Sequence, residues 1–121
     1  MQRNSLSAVY YRPIDAAIRW AGLFRFREDI LAGVRSRTLP ATLDCPHCNE
    51  LRLYSDRIYD AIFHGELPYG QNGITMHDES LWDSPDLTIR HVDLKRWMLH
   101  TYPEQRPPFL FSRSERIAHP V

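Results

Sequence analysis

Nine prolines and five glycines divide this chain into short pieces, the longest of them residues 47–64 and 86–102. Proline cannot continue a helix or sit in a central strand, and glycine favours turns and stops. The chain is therefore confined to helices of a few turns and very short strands. No apolar run approaches the roughly 18–20 residues that a membrane-spanning helix needs. Hydrophobic residues make up 43% and charged residues 25%, enough for one packed core and too apolar for a disordered chain.

The pieces can be read one by one. Ala8-Val9-Tyr10-Tyr11 is strand-like. Pro13 suits a first helical position, because its missing N–H has no helical partner there. Ile14, Ala17, Ile18 and Ala21 follow at helical spacing with Trp20 beside them, and Gly22 supplies the stop. A second short helix is predicted over 25–32, with Ile30 and Leu31 inward and Gly33 as its end. Residues from 34 to about 54, punctuated by Pro40 and Pro46, read as an inserted loop. Ser55 is a candidate N-cap for a helix over 56–64, with Ile58, Ala61 and Ile62 as its stripe and Tyr59 and Phe63 on its shoulders. Gly65, with His64 beside it, suits the C-cap. A turn at 66–70, a hairpin or loop over 70–86, and a strand at Leu87–Arg90 come next. Asp93 falls in the first turn of a final helix, whose inner face is Leu94, Trp97 and Met98. Pro103, Pro107 and Pro108 are expected to end regular structure, Phe109-Leu110-Phe111 to pack back on the core, and 112–121 to form a flexible tail. The fold class predicted is α+β, mainly helical, as one domain over 1–111.

Charge is balanced overall but unevenly placed: residues 1–40 carry +4, residues 41–110 carry −5, and the last eleven carry +1. Of fifteen basic residues only Lys95 is a lysine. Arginine's planar fork suits phosphate and guanine, although an arginine bias equally follows from GC-rich coding. The first seven residues hold no apolar stretch of signal-peptide length, which predicts a cytoplasmic location and reduced thiols for the two cysteines.

One ordered set of motifs stands out. Arg57-Ile58-Tyr59-Asp60-Ala61-Ile62-Phe63-His64-Gly65-Glu66-Leu67-Pro68 is followed by Leu87-Thr88-Ile89-Arg90-His91-Val92-Asp93-Leu94-Lys95-Arg96-Trp97. This resembles the winged helix-turn-helix of the excisionase and MerR-like DNA-binding families. There a helix ends in a Gly-Glu-Leu-Pro type turn, and a hairpin wing leads into an Asp-Leu-x-x-Trp helix. Pro13-Ile14-Asp15-Ala16-Ala17-Ile18-Arg19-Trp20-Ala21-Gly22-Leu23 is similar to the family's first helix. The resemblance implies a small β-hairpin wing and sequence-specific binding of double-stranded DNA. The role implied is a homodimeric, non-catalytic accessory or transcriptional regulator of a bacterial mobile element, working with an integrase or RNA polymerase. It places helix 56–64 in the major groove, with Arg57 and Tyr59 as contacts. Arg90 on the wing strand, Arg12 and Arg19 beside the first helix, and Lys95 and Arg96 complete the candidate set.

Two features depart from the family. About 30 residues separate the two helices, so helix 25–32, with Arg25 and Arg27, is the other candidate for the groove. Asp56 and Asp60 lie on or near the outer face of helix 56–64, where carboxylates repel phosphate. A protein-binding module, or a phage-type inhibitor that keeps the fold without the DNA, is the alternative reading.

Chemistry-bearing motifs are few. There is no Gly-x-Ser-x-Gly elbow, phosphate loop, dinucleotide fingerprint or His-Glu-x-x-His, so neither an enzyme nor a cofactor is expected. His77-Asp78-Glu79 has metal-binding and acid–base residue types but reads as a solvated loop cluster. Cys45-Pro46-His47-Cys48 has zinc-knuckle spacing, yet no second cysteine pair completes a site, and no metal is expected. Replacing both thiols, Cys45→Ser with Cys48→Ser, should leave the thermal midpoint unchanged. A fall that tracks loss of bound zinc would reverse that expectation.

Overall fold

A computed structural model describes residues 8–33 and 48–117, apart from the side chain of Cys48. The expectations for the arm before residue 8, the loop over 34–47 with Cys45 and His47, and the end beyond 117 lie outside the described residues. Strand β1 is Tyr10–Tyr11, helix α1 Pro13–Trp20 and helix α2 Arg27–Gly33, with a 3₁₀ turn at Phe24–Phe26 leading into α2. Helix α3 is Cys48–Phe63. Strands β2 (Gly70–Gln71) and β3 (Ile74–Thr75) form a hairpin, and a second 3₁₀ turn spans Glu79–Leu81. Strand β4 (Leu87–Arg90) runs into helix α4 (His91–Thr101), and helix α5 (Arg113–Ile117) follows. The architecture is mixed α and β, mostly helical, with one small antiparallel sheet ordered β1-β4-β2-β3.

The local stops act as their chemistry requires. Proline opens α1, and Gly22 and Gly65 take φ of +74° after α1 and α3. His64 Nδ1 donates to the Asp60 carbonyl at 2.7 Å, which helps close α3. The hairpin turns on Asn72 and Gly73, with φ of 52° and 81°, the pair of left-handed residues that a two-residue hairpin needs. A side chain at Gly73 would also strike the Tyr10 ring. One at Gly70 would overlap the Ile74 carbonyl. The Gly73 N–H donates to Thr88 Oγ1 at 3.1 Å, tying the hairpin tip to the central strand.

The core lies between α1, α3, α4 and the inner face of the sheet. Ile14 and Ile18 of α1, Leu51, Ile58 and Ile62 of α3, Leu94 and Met98 of α4, and Leu87 and Ile89 of β4 are all buried. Phe109, Leu110 and Phe111 return to this core as expected. Phe109 meets the Tyr11 ring edge-on, with centroids 5.3 Å apart.

Two boundaries differ from expectation. Helix α3 begins at residue 48, so residues 48–54 are helical and Ser55 lies buried inside the helix rather than capping it. Leu51 sits seven residues before Ile58 and extends the same buried stripe two turns toward the N-terminus. Regular structure also continues past the prolines. Ser112 and Glu115 form a reciprocal capping pair: the Ser112 N–H donates to Glu115 Oε1 at 2.9 Å and the Glu115 N–H to Ser112 Oγ at 3.3 Å. Glu115 also meets Lys95 Nζ at 2.7 Å, which fastens α5 to α4.

Truncating the returning plug tests this packing. Phe109→Ala should cost about 3–5 kcal/mol in chemical denaturation, the range for emptying a buried aromatic site. A loss below about 1 kcal/mol would show that the plug is not part of the core.

Candidate functional site

Arginines anchor to whatever carboxylates and rings the fold places within reach, so each candidate contact has to be located by its partners. Arg19 was expected to meet phosphate beside the first helix. It faces inward instead, with its side chain 10% exposed and its Nε donating to Asp15 Oδ1 at 3.2 Å. The same oxygen accepts from Arg27 Nε at 2.8 Å. Arg19 also lies over the Tyr11 and Phe24 rings, 5.3 and 4.7 Å from their centroids. A buried carboxylate one turn earlier on α1 draws it in. Tyr59, expected to face a groove, is likewise buried, because it shares the α3 face that packs inward.

Arg90 and Lys95 are also committed within the chain. Arg90 bonds Asp93 through Nε at 2.8 Å and Nη2 at 3.3 Å. That pairing holds the guanidinium's pKa above its ordinary value, first through the hydrogen bond and then through the carboxylate's charge. Lys95 and a hydrogen bond from the Ser112 backbone hold Glu115 down to about 2. Arg27, from the other candidate helix, is engaged by Asp15, while Arg25 is exposed and lies over Phe26.

Arg12, Arg57 and Arg96 make no ion pair among the described residues. Arg12 is half-buried at the N-cap of α1. Arg96 is exposed on α4 and lines a cleft of about 590 Å³ together with Glu66 and Asp93. Arg57 leans away from solvent onto three aromatic rings.

The outward face of α3 has the opposite sign. Asn49, Leu53, Asp56 and Asp60 recur at i, i+4, i+7 and i+11, so they form one stripe, and all four are exposed. Glu50 is exposed beside the stripe. Leu53 is 47% exposed at the middle of the acidic groups. Asp56 and Asp60 have no ion pair among the described residues. With residues up to 54 expected as a loop, the two aspartates are legible in the sequence but the stripe is not. The seven-residue spacing of Leu51 and Ile58 is the signal the sequence holds.

The other acidic cluster has a local job. Asp78 caps the 3₁₀ turn, accepting from the Ser80 N–H at 3.0 Å and the Ser80 hydroxyl at 2.7 Å. Those bonds lower its pKa. Among the described residues, no group of three or more His, Cys, Asp or Glu side chains is arranged to hold a metal ion. No family model, curated protein or solved structure matches the chain.

Arg19 separates structural from contact roles. Arg19→Ala should lower folding stability by about 2 kcal/mol, the scale of a lost charge-assisted bond, because Asp15 keeps only Arg27. Chemical denaturation reads this directly, and unchanged stability would return Arg19 to the contact candidates.

Proposed function

We propose that this chain is a non-catalytic docking module that grips a basic surface of a protein partner through the outward stripe of α3. The observation carrying this reading is exposed Leu53 followed along the same stripe by exposed Asp56 and Asp60, neither aspartate having an ion pair among the described residues. An exposed apolar side chain with acidic groups beside it on one helix face suits a contact with a basic protein surface. The same layout is unfavourable against phosphate, since each carboxylate repels the duplex. A partner whose basic patch itself serves nucleic acid would be masked by such a stripe.

A second reading is kept for a specific observation. The succession of α1, α3, hairpin, β4 and α4 is compatible with a winged helix, and Arg57 on α3 is not tied to any carboxylate. On that reading the chain is an excisionase-like or regulatory DNA-binding protein of a mobile element, with Arg12, Arg57 and Arg96 on phosphates. Magnitudes weaken it. Three phosphate contacts give a salt slope of about −3, against roughly −5 to −9 for proteins making 6–10 such contacts.

The two readings separate in one design. A photoreactive phenylalanine analogue at position 53 should crosslink a protein in the source cell. The adduct should vanish with Asp56→Arg and Asp60→Arg. In parallel, a pool of genomic duplex fragments should show no enrichment at low salt. Enrichment of one site, weakened steeply by salt, would overturn the docking proposal in favour of DNA. A crosslink indifferent to charge reversal would also overturn it.

A further inference from the structure

The ion pairs inside the chain leave few cations for its surface. Among the described residues, Arg25, Arg96, Arg113 and Arg116 are exposed and have no ion pair. The last three belong to α4 and α5. Val92, Arg96 and Leu99 recur on α4 at i, i+4 and i+7, so they share one outward face, with Lys95 beside them. Val92 and Leu99 are both exposed. Lys95 fastens α5 to this helix through Glu115, and α5 exposes Arg113, Arg116 and Ile117. Asp93 and Glu115, the two carboxylates of these helices, are already engaged by Arg90 and Lys95. The free charge of α4 and α5 is therefore positive, on the same two helices as three exposed apolar side chains.

We propose that this basic, partly apolar surface of α4 and α5 is what the α3 stripe grips, so that the docking partner is a second copy of this chain. The proposal rests on the docking reading and names the partner of that same site. The two surfaces match in kind. One offers exposed Leu53 with Asp56 and Asp60, and the other offers Val92, Leu99 and Ile117 with Arg96, Arg113 and Arg116. Opposite potentials across a contact speed encounter and fix its register. The chain's net charge is zero, so its copies do not repel one another at long range, and such a balance favours association. Neither surface satisfies the other within one chain, since both stay exposed and these five charged groups have no ion pair among the described residues. Because unlike faces meet, the contact closes as a pair when each chain gives both faces to the same neighbour, and otherwise extends head to tail. Glu66 lines the same cleft as Arg96 and opposes an acidic partner there, so the arginines of α5 carry the cleaner test.

Sedimentation velocity of the full chain, from micromolar to millimolar concentration, reads the contact. A concentration-dependent rise above the monomer mass is expected, weakening with added salt because exposed charges are screened. Asp56→Arg with Asp60→Arg should raise the dissociation constant about tenfold or more, and so should Arg113→Glu with Arg116→Glu, since attraction becomes like-charge repulsion. Mixing the two variants should restore association, because each α3 then meets the opposite charge on the other chain's α5. Circular dichroism checks that each variant is folded, and the salt dependence of the natural chain tests the contact where a variant is not. A natural chain that stays monomeric throughout, an association indifferent to salt, or folded variants that fail to rescue each other would each overturn self-pairing. The docking reading fails separately. If the natural chain is monomeric while position 53 still crosslinks a different protein in a charge-dependent way, that reading stands and self-pairing alone falls.

Discussion

Asp15 is a carboxylate with a side chain 9% exposed, on a helix whose other buried neighbours are apolar. A charge so placed costs several kcal/mol unless cations and hydrogen bonds reach it. Arg19 from the next turn of α1 and Arg27 from the start of α2 both do. The demand of that one group fixes how α2 meets α1. It draws Arg19 between Tyr11 and Phe24, so the β1 strand and the 3₁₀ turn are brought to the same cluster. It also changes the surface, because two of the cations that enrich the first forty residues are tied to Asp15, and Arg19 is drawn inside.

The same accounting explains why a neutral chain presents an acidic helix. Arg90 is spent on Asp93 and Lys95 on Glu115. Arg57 turns toward rings rather than toward the aspartates that flank it in sequence. Composition alone sees equal numbers of both signs, while the fold sorts them, with much of the positive charge anchored and Asp56 and Asp60 left outward.

Most of the backbone was legible because its signals are local. Pro13, Gly22 and Gly65 mark helix ends through sterics that hold in any context. Leu94, Trp97 and Met98 declare the inner face of α4 by spacing alone. The start of α3 was missed because Pro46 and Ser55 look like boundaries, and only packing shows that Leu51 belongs to the Ile58 stripe. Helix α5 was missed although Ser112-Arg113-Ser114-Glu115 spells a capping box, since three nearby prolines outweighed it. Side-chain roles were less legible. Arg19 and Tyr59 carry surface chemistry by type, and their inward placement follows from a carboxylate and a helix rotation that the sequence does not announce.

The α3 stripe cannot be explained as a device for folding. Aspartate is among the poorer helix formers, by several tenths of a kcal/mol relative to alanine. Asp60 lies in the last turn of α3, where the helix dipole is negative, and that turn holds no basic residue to offset it. A lysine or arginine there would favour the helix and would also favour DNA. The chain instead carries acid at a position where local physics opposes it, on the same stripe as an exposed leucine that solvent also disfavours. Departures from local consistency of this kind are expected where a surface serves contact rather than stability.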